Sequence, residues 1–382
     1  MFKNLFYICI LESILCACGG EKKYKDNNVL ERIENFSVDV TEDCIQIYEN
    51  SYCRPTTAQI EGTDYMIAYS MPLHSIDLIA LNGKSSFKQI KLERQGPDAV
   101  NDIRGLFYYD HSFVLNCSEG FCRVNEEGKI ISKWSLHEFL EKYPQFSTRF
   151  PEKIIIYNLF QFWGFNEKEG LIALPLYKYE KINKQYPTRI ILVSCHDWEV
   201  VEDVEISYPT QLKQEEWLGC LGEVQALPCK DKIIYNFPAS SEIYIYDRIR
   251  RTTTVHSIDT KYTEKYYRCE NEGDDGLSTG YFLPIRYDYL HNNYWRIQQK
   301  PQIHSGRSSK SCSVTRFSTN FEIMGEYDIP SQKGISSFSI LFTEDKNQIQ
   351  DNVYYKRKNA YITFKKDYIS IIYFYSEGVN KF

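Results

Sequence analysis

One short unit recurs along this chain and limits what it can fold into. An apolar strand ends in a tight polar turn, and a strand that alternates apolar with polar residues follows. Residues 75–81 turn at Asn82-Gly83-Lys84 into 87–92, and 121–124 turn at Asn125-Glu126-Glu127-Gly128 into 129–136. Residues 189–194 turn at His196-Asp197 into 199–206, and 242–246 turn at Asp247-Arg248 into 252–258. Residues 313–317 turn at Ser318-Thr319-Asn320 into 321–329, and 361–364 turn at Lys365-Lys366-Asp367 into 368–375. Period-2 alternation bounded by turn residues is the mark of a strand pair. Further strands lie upstream of the later units, at 106–109 and 113–115, 159–165 and 171–176, 224–227 and 232–236, 282–289 and 294–298, and 337–342 and 353–355.

About six copies of a four-stranded unit, at spacings that start near 40 residues, predict an all-β fold: a six-bladed β-propeller. The alternative is a large irregular β-sandwich or barrel. A closed ring is preferred because it buries both faces of each small sheet and protects the strand edges. Short helical insertions interrupt the repeat. Ser135 with Glu138 forms a capping box, so a helix is expected from Leu136 to about Tyr143, stopping before Pro144. Residues 261–280 form a second insertion ending in an acidic loop, Asn271-Glu272-Gly273-Asp274-Asp275-Gly276. A strand pair at 33–48 is placed to close the ring against the last blade.

The N-terminus has the order of an export signal. Lys3 precedes an apolar run at 5–11 that is too short to span a bilayer, and Leu15-Cys16-Ala17-Cys18-Gly19 follows. This order resembles a lipobox, with Cys18 as the lipid attachment site. Glu12 is a departure, a carboxylate inside the apolar stretch. The expected division is a signal peptide at 1–17, a lipidated cysteine and polar tether at 18–30, and a propeller at 31–382. Lipid anchoring implies the cell envelope, in the outer membrane, with a palmitate-type acyl chain on Cys18. The side faced is left open.

The formal net charge is −6, with no basic block, which argues against nucleic acid as a partner. Aromatic residues make up 15% of the chain, and they fill pleated, half-buried strand surfaces well. Of the 12 cysteines, those after the anchor are odd in number, so at least one thiol is unpaired. Cys117 and Cys122 flank the turn Ser118-Glu119-Gly120 and are the candidate disulfide; the alternative is a pair of small buried hydrophobes. No paired CxxC motifs or histidines at ligand spacing exist, so no metal and no cofactor are expected.

Between the first and second units runs Arg94-Gln95-Gly96-Pro97-Asp98-Ala99-Val100. With the lipobox, the polar tether and the repeated strands, this Gly-Pro loop resembles that of the TolB-like six-bladed propeller lipoproteins of the Bacteroidetes. Within them the chain is most similar to the domain-of-unknown-function 4221 proteins. Asp98-Ala99 stands where the family pattern has Asn-Gly. The resemblance implies a fold and an envelope location and no settled activity.

Turn chemistry by itself explains Gly96-Pro97, since glycine permits a sharp bend and proline fixes φ. The functional reading places Arg94, Asp98 and Arg104 near the channel mouth, where a guanidinium suits a carboxylate or phosphate. A second cluster is Arg286-Tyr287-Asp288-Tyr289 with Tyr294-Trp295-Arg296, joined by Trp163. Arg286, Tyr287, Trp295 and Trp163 are the candidates there, for stacking on a ligand and bonding its polar groups. The competing reading is core packing with charges that snorkel to water. The chain contains no HExxH or P-loop. The expected function is therefore a non-enzymatic, membrane-tethered module that binds a glycan, peptide or envelope protein. The alternative is a lyase or hydrolase acting on polysaccharide or peptide at the channel mouth.

Overall fold

The computed structural model describes residues 30–36, 52–80, 87–117, 120–144, 164–181, 184–209, 219–267, 280–288, 292–301, 309–333, 338–341, 349–350, 353–354, 359–365 and 368–374. The signal peptide, Cys18 and Trp163 lie outside them. Strand β1 (Leu30–Phe36) belongs to the last sheet. Four antiparallel strands then make the first blade: β2 (Tyr52–Ile60), β3 (Thr63–Ser70), β4 (Ser75–Ala80) and β5 (Phe87–Lys91). The second holds β6 (Gly105–Tyr109), β7 (Ser112–Cys117), β8 (Gly120–Val124) and β9 (Ile130–Ser135). The third holds β10 (Gly164–Asn166), β11 (Leu171–Lys181), β12 (Lys184–Ser194) and β13 (Val200–Glu205).

The fourth blade holds β14 (Gln225–Pro228), β15 (Lys232–Asn236), β16 (Ile243–Asp247) and β17 (Thr252–His256). In the fifth, β18 (Tyr281–Phe282) and β19 (Arg286–Asp288) both pair with β20 (Asn293–Gln299), followed by β21 (Ser309–Phe317) and β22 (Ile323–Lys333). The fold is an all-β propeller.

The blade count corrects the expectation of six repeated units. Five blades are built from consecutive strands, and the last unit does not supply a sixth on its own. Its strands β23 (Phe338–Leu341), β26 (Asn359–Lys365) and β27 (Tyr368–Phe374) take their fourth partner from the other end of the chain, as β1 pairs antiparallel with β27. The segment expected as its second strand instead forms a separate hairpin, β24 (Ile349–Gln350) with β25 (Val353–Tyr354). The composite sheet meets the first blade, where β23 lies beside β2.

Strand alternation explains how the blades pack. Successive side chains on a strand face opposite ways, so one strand feeds two seams. On β7, Phe113 and Leu115 join Ile67, Ile76 and Leu78 of the first blade, while Val114 joins Ile172 and Leu174 of the third. On β12, Ile191 and Val193 face the second blade, while Ile190 and Leu192 pack with Ile233 and Tyr235 of the fourth. Middle strands such as β8 and β20 are therefore buried throughout. The outer strands β9 and β17 alternate with solvent.

At the rim, the turns before the outer strands of the second, third and fourth blades dock on the preceding blade. Lys88 meets Glu126 at 2.8 Å, Trp198 Nε1 donates to Ser132 Oγ at 3.1 Å, and Arg248 meets Glu202 at 3.5 Å. The one α-helix among the described residues, α1 (Leu136–Lys142), starts where the sequence places it. The Ser135 hydroxyl accepts from the His137 and Glu138 amides, and Phe139 packs on Trp134. Among the described residues no helix is long and apolar enough to cross a membrane.

Candidate functional site

The first strands of neighbouring sheets lie side by side, β2 with β6 and β23, and β10 with β14, so they ring the central axis. The approach is close. A Cβ on Gly164, at the head of β10, would fall 1.4 Å from the Ala226 carbonyl oxygen on β14. Asn166 locks the other end of the strand. Its Nδ2 donates to Pro228 O at 3.0 Å, and its Oδ1 accepts the Lys168 and Glu169 amides at 3.1 Å. That side chain thus imitates a backbone turn.

Between these anchors, Phe165 faces the axis. Its ring stacks on Phe107 of β6, with centroids 4.4 Å apart and planes 4° apart. The Arg286 guanidinium of β19 sits 5.2 Å from the same ring centroid. Phe165 belongs to the third blade and Arg286 to the fifth, with the fourth between them, so this contact crosses the channel. Among the described residues no hydrogen bond or ion pair takes up the half-buried guanidinium. A cation held over a ring face keeps its in-plane N–H groups available to a ligand.

Carboxylates gather at the same end. Burial pushes the Glu167 carboxyl above its ordinary value, and the Arg286 charge works the other way. Burial and the neighbouring Asp231 charge also push Glu169 up, and its buried Oε2 has no hydrogen-bond partner. Among the described residues no group of three or more histidine, cysteine or acidic side chains is placed to hold a metal ion.

The Gly-Pro loop folds as turn chemistry requires. Gly96 has φ +96°, and its carbonyl accepts the Ala99 amide at 3.2 Å. The structure does not bring Arg94, Asp98 and Arg104 together. Exposed Arg94 donates to Met71 O and Pro72 O at 3.4 and 3.3 Å. Asp98 accepts the Ile130 amide on the outer strand β9 at 3.3 Å and meets Lys129 at 3.6 Å. Arg104 is exposed just ahead of β6, and its backbone amide donates to Asn116 O at 2.9 Å.

The second cluster divides. Arg286 alone reaches the axis. Tyr287 packs on Tyr294, with centroids 4.8 Å apart, and donates its hydroxyl to Asn292 Oδ1. Trp295 is buried, with the Arg316 guanidinium 5.6 Å from its ring centroid. Cys117 and Cys122 do face each other across the β7–β8 turn, as free thiols with sulfurs 3.7 Å apart.

Sequence reasoning missed Phe107, Phe165 and Glu167. Phe107 is buried in the seam between the second and third blades and half-buried Phe165 packs against it, a meeting of two blades that strand alternation alone does not register. Sequence reasoning also left His74 unassigned. That histidine is buried, and its Nδ1 lies 2.7 Å from the Tyr69 hydroxyl and its Nε2 3.1 Å from Glu93 O. Both ring nitrogens are thus spent on pinning the start of the Gly-Pro loop.

A family model described as "Domain of unknown function (DUF4221)" matches residues 34–328. The crystal structure of a DUF4221 family member from Bacteroides vulgatus ATCC 8482 superposes with a TM-score of 0.65 at 15% identity, over 91% of this chain and 97% of that one. A putative exported protein from Bacteroides fragilis NCTC 9343 gives 0.46 at 9% identity, over 92% and 98%. A luciferin-regenerating enzyme gives 0.43 at 10% identity, over 93% and 97%. A search of curated proteins found no match.

Proposed function

The chain belongs to the DUF4221 family, and from that premise we propose that it is a lipid-tethered envelope propeller that binds an anionic ligand in its central channel. The observation that carries the proposal is the Arg286 guanidinium laid over Phe165 across the axis. Phe107 also stacks on that ring, so the ligand approaches the charged edge and not the aromatic face. A carboxylate-bearing glycan or peptide fits this chemistry, because the guanidinium fork matches two carboxylate oxygens.

The tether is the second half of the proposal. Residues 1–17 act as the export signal, Cys18 carries the lipid, and the propeller stands at the outer membrane as in TolB-like lipoproteins of the Bacteroidetes. Support comes from the Lys3, apolar run and Leu15-Cys16-Ala17-Cys18 order. An enzymatic role gains no specific support. The close His74–Tyr69 pair is consumed by the fold, as described above.

The test is a thermal-shift screen of the purified chain against acidic glycans, neutral glycans and peptides. A ligand at about a hundred times its dissociation constant adds roughly 2.7 kcal/mol of stability. Acidic members are expected to raise the melting temperature. A response confined to neutral members would count against an anion-reading channel.

A further inference from the structure

Two arginines are buried in seams between blades, and their surroundings differ. Arg123, on β8, has its donors occupied. Its Nε and Nη2 donate to Ser112 Oγ at 3.0 and 2.9 Å, and Nη1 donates to Cys195 O at 3.5 Å. Asp110 supplies a carboxylate 3.3 Å from Nη2. Arg296, on β20, is fully buried and donates from Nη1 alone, to Ser241 O of the fourth blade at 3.1 Å. Its Nε and Nη2 meet no acceptor among the described residues.

Among the described residues the neighbours do not fill the gap. The Phe282 and Phe317 rings flank the guanidinium, with centroids 4.5 and 5.7 Å away. Thr315, directly across the ladder, already accepts from Gln298 Nε2 at 2.6 Å, and Gln298 Oε1 accepts from Ser313 at 2.7 Å. Burial lowers the Arg296 pKa to about 9, which leaves the group charged at neutral pH.

Nε and Nη2 are one edge of the guanidinium plane, and that edge takes two oxygens at once. Arg189 shows the same fork filled: its Nε and Nη2 each lie 2.7 Å from an oxygen of Asp203. A buried cation without a counter-charge is costly, and an orphaned buried donor calls for a partner. We propose that the seam between the fourth and fifth blades binds a small oxyanion, a carboxylate or a phosphate, on the Nε–Nη2 edge of Arg296. This site is separate from the channel. Arg286 pairs with Trp295, the residue before Arg296, so the two guanidiniums leave the sheet on opposite faces.

The experiment uses the full chain at constant ionic strength, with sodium chloride replaced stepwise by inorganic phosphate in one arm and acetate in the other. A saturable rise in melting temperature is expected in at least one arm, and the arm that responds names the oxyanion. Arg250→Ala, which removes an exposed arginine from the turn after β16, keeps the response and Arg296→Met loses it. Arg296→Lys, which keeps the charge without the fork, weakens apparent affinity at least tenfold. Should Arg296→Met fail to fold, equilibrium dialysis of the wild-type and Arg296→Lys chains with radiolabelled phosphate and acetate decides the matter. About one anion bound per wild-type chain, with weaker binding by Arg296→Lys, supports the site. No saturable response in either arm, no binding in dialysis, or equal responses in wild type and the Arg296 variants overturns it.

Discussion

Gly164→Ala tests the architecture that makes the channel. The added Cβ would lie 1.4 Å from Ala226 O, 2.6 Å from Ala226 C and 3.4 Å from Leu227 N, all of them backbone atoms. Backbone cannot rotate out of the way, so β10 and β14 must part by about 2 Å to restore ordinary van der Waals contact. Overpacking of this kind costs about 3 kcal/mol. Parting the strands also strains the bond from Asn166 Nδ2 to Pro228 O, worth about 1 kcal/mol. A loss of about 4 kcal/mol lowers the melting temperature by roughly 5 °C in a chain of this size.

Gly62→Ala is the control. Gly62 has φ +74° in the tight β2–β3 turn with nothing within 4 Å of its Cβ position, so it pays only for backbone handedness, about 1–2 kcal/mol. Thermal unfolding followed by circular dichroism reads both variants. If Gly164→Ala melts no lower than Gly62→Ala, the inner strands do not converge as described, and Phe165 is not held at the axis by them.

Three further predictions follow from named groups. Burial holds His74 below its ordinary pKa of 6.5, so the unfolded chain takes up a proton before the native one does. Its contribution to stability is full above pH 6.5 and is lost as the pH falls from there through the lower folded value; Gln in its place should flatten that part of the stability–pH curve, and an unchanged slope would reject the role. Oxidised protein, denatured without reductant, should escape thiol labelling at both Cys117 and Cys122 if the facing thiols have closed into a disulfide, whereas labelling of either shows they remain free. Cys18→Ala should move the protein from the membrane fraction to the soluble one, and continued retention would remove the lipid anchor.

The fold was legible where local chemistry decides it. The polar turns at Asn125–Gly128 and Asp247-Arg248 sit between strands in the structure, and Ser135 caps its helix. The first blade's opening strands were not legible. Pro55 lies inside β2, where proline argues against a strand, and the ladder absorbs it by a register shift between Cys53 and Thr56. The composite sheet was half legible: a strand from the N-terminal segment does pair with the last one, but the segment near Val353 follows its own hairpin.

The site was less legible still, because it is a matter of which blades face each other. Composition singled out Arg286, yet its partner Phe165 lies two blades away, a separation that no linear motif records. Arg296 looked like a charge that snorkels to water. Its strand is buried along its whole length, so the guanidinium has no route out.

The central claim is that the channel reads an anion through Arg286. Isothermal titration calorimetry with the strongest acidic ligand from the screen, on the wild-type chain and on Arg286→Ala, tests it most directly. Removing a fork-type charged contact is predicted to weaken binding at least tenfold, about 1.4 kcal/mol or more, while leaving the melting temperature of the free protein within a few degrees of wild type. Equal dissociation constants for the two proteins would contradict the claim and place the ligand elsewhere on the propeller.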